Sequence, residues 1–165
     1  MRIRIAVVVA VVSVAAIVGS VAATAATAKR FSASLSGFEE TPTLSVAGAG
    51  SFSAELSKDG TSLSYTLSYS GLTGPALFAH IHLGQRATAG GVAAFLCGGG
   101  GKDPCPGAGG TISGTIVAAD VVGPAGQGLA PQEFAELVAA MRFGATYVNV
   151  HTEAFMNGEI RGQIV

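Results

Sequence analysis

The sequence predicts an all-β domain, a Greek-key β-sandwich or barrel of about eight strands with one short amphipathic helix near 131–142. Three observations carry that expectation. Apolar and polar residues alternate along most of the chain, with β-branched residues prominent. The 24 glycines among 165 residues cut the alternating runs into strand-length pieces. One segment alone changes from a period of two to a period of 3.6.

The first strand falls near 30–36, where Phe31, Ala33 and Leu35 alternate with serines. The second, near 47–57, carries Phe52, Ala54 and Leu56 on one face. The third, near 61–70, sets Leu63, Tyr65, Leu67 and Tyr69 against Ser64, Thr66 and Ser68. Lys58-Asp59-Gly60 between them is a tight-turn signal, so these two form a hairpin. Further strands are expected near 77–83, 91–96, 111–117, 145–151 and 158–164, with glycine-rich loops at 84–91 and 98–110. Phe134, Leu137, Val138 and Met141 fall at i, i+3, i+4 and i+7 and mark the helix. Pro131 suits its first turn and Gly144 the residue after its end. The strand order is left open by these patterns, and neither an internal repeat nor a second domain is visible.

The N-terminal stretch has the form of an export signal. Arg2 and Arg4 precede an apolar run from Ile5 to Val18, and Ala26-Thr27-Ala28 fits a small-residue cleavage site. The expected organisation is a signal peptide at 1–28 and a single domain at 29–165; an uncleaved anchor is the alternative. Without Arg2 and Arg4, the nine Lys and Arg become seven against ten Asp and Glu, a net of −3. No cluster of basic residues offers a nucleic-acid footprint, and the mature chain carries no membrane span. Cys97 and Cys105 are the only cysteines. In an exported chain such a pair is expected to form a disulfide across the glycine-rich loop.

All three histidines lie in two strand-like runs, Ala79-His80-Ile81-His82-Leu83 and Tyr147-Val148-Asn149-Val150-His151-Thr152. Side chains two apart on a strand share a face. His80 and His82 therefore project together, as do Tyr147, Asn149 and His151. If the strands adjoin, three imidazoles converge, and imidazole is the commonest side-chain ligand for zinc, copper and similar ions. Copper is the first expectation and zinc the second, since spacing does not separate them. The competing reading is a hydrogen-bonded polar network on a sheet face, with Asn149, Glu159, Arg161 and Gln163 as partners.

Glu159, Arg161 and Gln163 alternate with Ile160, Gly162 and Ile164. Glu159 could orient an imidazole from behind or serve as a fourth ligand, or it could form a structural ion pair closing the last strand. Glu40, Asn149 and Arg161 are the other candidates for supporting the histidines. Glu40 reads equally well as a solvated loop residue capping a turn, and the three tyrosines as packing residues. The chain has neither a phosphate-loop motif nor a Gly-x-Ser-x-Gly elbow.

Several blocks together resemble the CHRD domain family. They are Phe31 to Gly37 with Glu40 and Pro42, Gly48 to Phe52, Tyr69 to Leu72, Ala79 to Gly84, Tyr147 to Thr152, and Gly158 to Ile164. The chain departs from the family pattern at Glu39-Glu40-Thr41-Pro42-Thr43 and at Phe155-Met156-Asn157. The resemblance implies a β-sandwich-like fold and a secreted, periplasmic or surface location, without one agreed activity. The expected function is a non-enzymatic exported binding module. It would take a metal ion through His80, His82 and His151, or a protein or cell-surface partner. The alternatives are a mononuclear copper or zinc enzyme of superoxide dismutase-like chemistry, for which three histidines furnish too few ligands for two metals, and a purely structural or adhesive module.

Overall fold

The computed structural model describes residues 29–165; the expected signal peptide lies outside them. Eight strands form one antiparallel sheet: β1 (Arg30–Ser36), β2 (Ala49–Leu56), β3 (Ser62–Ser70), β4 (Ala76–Leu83), β5 (Gly91–Cys97), β6 (Gly110–Val117), β7 (Thr146–Thr152) and β8 (Ile160–Gln163). The spatial order is β5-β4-β7-β8-β1-β2-β3-β6. Each expected strand is found, with ends shifted by at most two residues. The order joins a β1–β2–β3 meander to a β4–β5 hairpin through the β7–β8 hairpin, which is inserted between them.

The alternation seen in the sequence sets the two sides of this sheet. Phe31, Ala33, Leu35, Phe52, Ala54, Leu56, Leu63, Tyr65 and Leu67 are buried on the inner face, as are Ile81, Val148, Val150, Ile160 and Ile164. The sheet curls around them into a nearly closed barrel. Across the seam between its two edge strands, the Tyr65 hydroxyl donates to the Leu96 carbonyl at 2.6 Å. The Cys97–Cys105 disulfide, with Cα atoms 5.0 Å apart, gathers the glycine-rich loop beside that seam. From the same loop Lys102 donates to the Thr115 carbonyl at 2.7 Å and pairs with Asp120 at 2.9 Å.

The junction of β8 with β1 explains why the last strand carries a glycine. A Cβ on Gly162 would stand 2.2 Å from the Ser34 carbonyl oxygen, so only glycine permits this approach. Val165 and Ser32 then exchange two backbone hydrogen bonds, at 2.9 and 2.8 Å.

The helix α1 (Phe134–Arg142) buries the four residues that the 3.6 period picks out, Phe134, Leu137, Val138 and Met141. It crosses one end of the barrel, facing Leu83 and Ala145 on one flank and the Gly60-Thr61 turn on the other. It begins later than Pro131 suggested. Gln132 adopts a positive φ of 69°, which interrupts the helical path, and the Glu133 carboxylate accepts the Ala130 N–H at 2.7 Å. Gly144, at φ 72°, follows the helix as expected. Among the described residues no helix is long and apolar enough to cross a membrane.

Candidate metal centre

β4 and β7 are neighbours, and their register sets Phe78 opposite His151, His80 opposite Asn149 and His82 opposite Tyr147. Ala79, Ile81, Val148 and Val150 occupy the inner face, so the polar residues between them point outward. On most of this barrel outward means exposed. Here it does not: His80, His82, His151, Asn149, Tyr147 and Arg161 are each at most 8 % exposed. Segments 84–90 and 153–158 lie over them, and Phe78 and Phe95 wall the histidines on one side.

The three imidazoles converge. Ring centres are 4.9 Å apart for His80 and His151, 5.3 Å for His80 and His82, and 5.9 Å for His82 and His151. One nitrogen from each ring can be chosen so that all three lie within 4.8 Å of one another.

Backbone carbonyls decide which nitrogens these are. His82 Nδ1 is 2.9 Å from the Gly90 carbonyl oxygen, and His151 Nδ1 is 2.9 Å from that of Met156. A carbonyl only accepts, so each Nδ1 carries the proton and each Nε2 keeps its lone pair. His151 Nε2 lies 3.2 Å from His80 Nδ1, and His82 Nε2 is buried with no hydrogen-bond partner among the described residues. Orienting a ligand ring by a bond from its other nitrogen is how proteins prepare imidazoles for metals.

Burial keeps these rings neutral. It lowers His80 to about 3, helped by the charges that His151 and His82 would carry. Burial likewise lowers His82 to about 4, against the raising effect of its Gly90 bond. His151 is also lowered by burial, opposed by its bond to Met156. Near neutral pH all three are therefore uncharged, the form a cation requires, and an ion would replace the hydrogen bond that His80 Nδ1–H donates to His151 Nε2.

The other sequence candidates divide. Arg161 comes next to the cluster: its guanidinium carbon lies 3.7 Å over the centre of the Tyr147 ring. Tyr147 in turn stacks on His82 at 4.8 Å with the planes 4° apart. Arg161 also donates to the Thr88 carbonyl at 3.0 Å. Asn149 sits between the histidines on the same face, with its Oδ1 buried and unpartnered. Gly158, at φ 124°, closes over it so tightly that a Cβ there would stand 2.3 Å from the Asn149 Oδ1.

Glu159 turns away from the histidines. Its carboxylate accepts from the Thr73 N–H and hydroxyl, both at 2.8 Å, and from the Thr152 hydroxyl at 2.7 Å. Glu40 is not the solvated residue its loop position suggested, being only 7 % exposed. Desolvation raises its carboxyl to about 7, with the Arg161 charge and a backbone hydrogen bond at Thr41 pulling the other way.

Sequence reasoning placed Tyr147 on the face of Asn149 and His151 but read it as a packing residue, and it left out Phe78, Phe95 and the Gly90 and Met156 carbonyls. Phe78 could have been read from its position two residues from His80. The carbonyls have no sequence signature, since every residue owns one.

No curated protein matches this chain. The CHRD domain profile matches residues 31–164, nearly the whole described region. That span takes in both histidine strands and the Gly158–Ile164 closing segment, so the fold, the motif blocks and the profile agree: the chain belongs to the CHRD domain family.

Proposed function

We propose that this protein is an exported binding module that holds a metal ion between His80, His82 and His151, with copper as the first choice and zinc the second. The observation that carries the reading is the preparation of the rings. Three neutral imidazoles converge within 4.8 Å, two have their tautomers set by backbone carbonyls, and one lone pair lies buried without a partner. Leaving that nitrogen unpaired costs on the order of 1–3 kcal/mol. An ion would engage that nitrogen. Three imidazole ligands suit type-2 copper or zinc of the catalytic kind.

Export is supported by the apolar N-terminal run and by the Cys97–Cys105 disulfide, a bond of oxidising compartments. The burial of the rings is the reason for ranking resident binding above turnover.

Metal titration of the purified domain beside a His80→Ala/His82→Ala variant tests the reading. The wild type should take up about one ion per chain and the variant none. Equal and negligible uptake by both removes the metal. Turnover of superoxide or peroxide by the copper-loaded domain, absent without copper, would replace the binding role with an enzymatic one.

A further inference from the structure

The ligand set proposed above carries no negative charge. Three imidazoles bring none, and the carboxamide of Asn149 brings none. The Glu159 carboxylate is engaged by Thr73 and Thr152. Glu40 is buried within reach of the Arg161 charge and is not among the grouped metal ligands.

A cation is layered directly onto the cluster instead. Arg161, 3 % exposed, lies over one face of Tyr147, and His82 stacks parallel to the same ring. With both partners at stacking distance, they occupy opposite faces, giving a column of guanidinium, phenol and imidazole. From that position, one ring beyond His82, the guanidinium charge of Arg161 opposes each added positive charge on an ion held by the imidazoles.

We infer that the three-histidine site is biased toward a monovalent ion, holding copper as Cu(I) in preference to divalent zinc or copper, and that Arg161 sets the bias through the Tyr147 stack. This rests on the proposed metal site and assigns the valence of its occupant. The Gly90 and Met156 carbonyls act in the opposite sense, making the imidazoles richer donors. They define the background against which Arg161 works.

The ratio of Cu(I) to Zn(II) affinity tests the assignment. Cu(I) would be kept reduced with ascorbate and competed against a Cu(I)-selective chelator, with Zn(II) competed against a chromophoric one. Arg161→Gln should lower the ratio by roughly tenfold, the effect of one unit charge two ring layers away at an effective dielectric of about 20. Arg161→Lys, which keeps the charge, should retain most of the wild-type ratio.

Should Arg161→Gln fail to fold, Glu40→Gln at pH 8 removes a negative charge beside Arg161 and should move the ratio upward. An unchanged ratio in folded Arg161→Gln, or in Glu40→Gln, overturns the assignment while leaving the metal site standing. Wild-type protein that takes up neither ion overturns both.

Discussion

Two outer walls of one barrel, built from the same alternating pattern, have opposite fates. On β1, β2, β3 and β6 the outward residues are small hydroxyls: Ser32, Ser34, Ser51, Ser53, Ser64, Thr111, Ser113 and Thr115 are all exposed. On β4, β7 and β8 the outward residues His80, His82, Tyr147, Asn149, His151 and Arg161 are buried, and Phe78 and Gln163 beside them are half-buried. Every residue of β7 is buried on both of its faces. The first wall satisfies its polar groups with water and with each other, as in the 2.8 Å contact between the Ser68 and Thr111 hydroxyls. The second is roofed by loops and must satisfy its polar groups internally. Among the described residues it does so incompletely, at His82 Nε2, Asn149 Oδ1 and Gln163 Oε1. A buried polar group left without a partner calls for an explanation.

The comparison breaks most directly at the histidines. His82→Ala should weaken copper or zinc uptake by more than the roughly 10–100-fold that outer-shell changes cost, as read by competitive chelation. Ser53→Ala on the exposed wall should leave uptake unchanged. An equal response of the two variants would erase the distinction.

Acid should find the covered wall next. His80 and His82 titrate near 3 and 4 when folded, against about 6.5 in an unfolded chain. The unfolded state therefore binds more protons between those values. The histidine contribution to the stability of the metal-free protein should be full above about pH 6.5 and fall steadily as pH drops through 4 toward 3. Glu40 has the opposite sign: raised to about 7, it favours the folded state at low pH and loses that contribution as pH rises through 7. Denaturant melts across pH should show both effects, with Glu40→Gln removing only the loss that runs from about pH 4 to about 7. A melt indifferent to pH from 7 to 4 would mean that the rings are not dry.

Two further changes probe rigidity. Gly158→Ala would force a methyl into Asn149 at a positive φ, and should destabilise by about 2–3 kcal/mol while perturbing the histidine ring signals in NMR spectra. Removing the disulfide with Cys97→Ser and Cys105→Ser should cost a similar ~2–3 kcal/mol by loop entropy, but should leave those signals in place. The smallest effect belongs to the exposed wall, where Ser34→Ala should shift stability by less than about 0.5 kcal/mol.

Much of the fold was legible because its signal is local. Phe31, Ala33 and Leu35 alternate with serines, and the Lys58-Asp59-Gly60 turn ends in a glycine at φ 75°. The pairing of His80 with His82 was legible for the same reason. The solvated reading of Glu40 failed, because its surroundings include Arg161, which lies 121 residues further along the chain. Glu159 was expected either to support the histidines or to form an ion pair; instead three hydroxyl and amide donors surround it. Nothing in the residues flanking Glu159 announces Thr73.

By itself the sequence determined which residues face inward, where the chain turns and which three side chains have metal chemistry. These follow from periodicities of two and 3.6 that near neighbours suffice to set. Only the tertiary structure decided that β7 lies beside β4 and that loops roof the histidine wall. It also decided that carbonyls of Gly90 and Met156 aim two lone pairs inward and that Arg161 lies on Tyr147. Those outcomes depend on strand order and loop path, which are settled by the collective burial of the whole core rather than by any short run of residues.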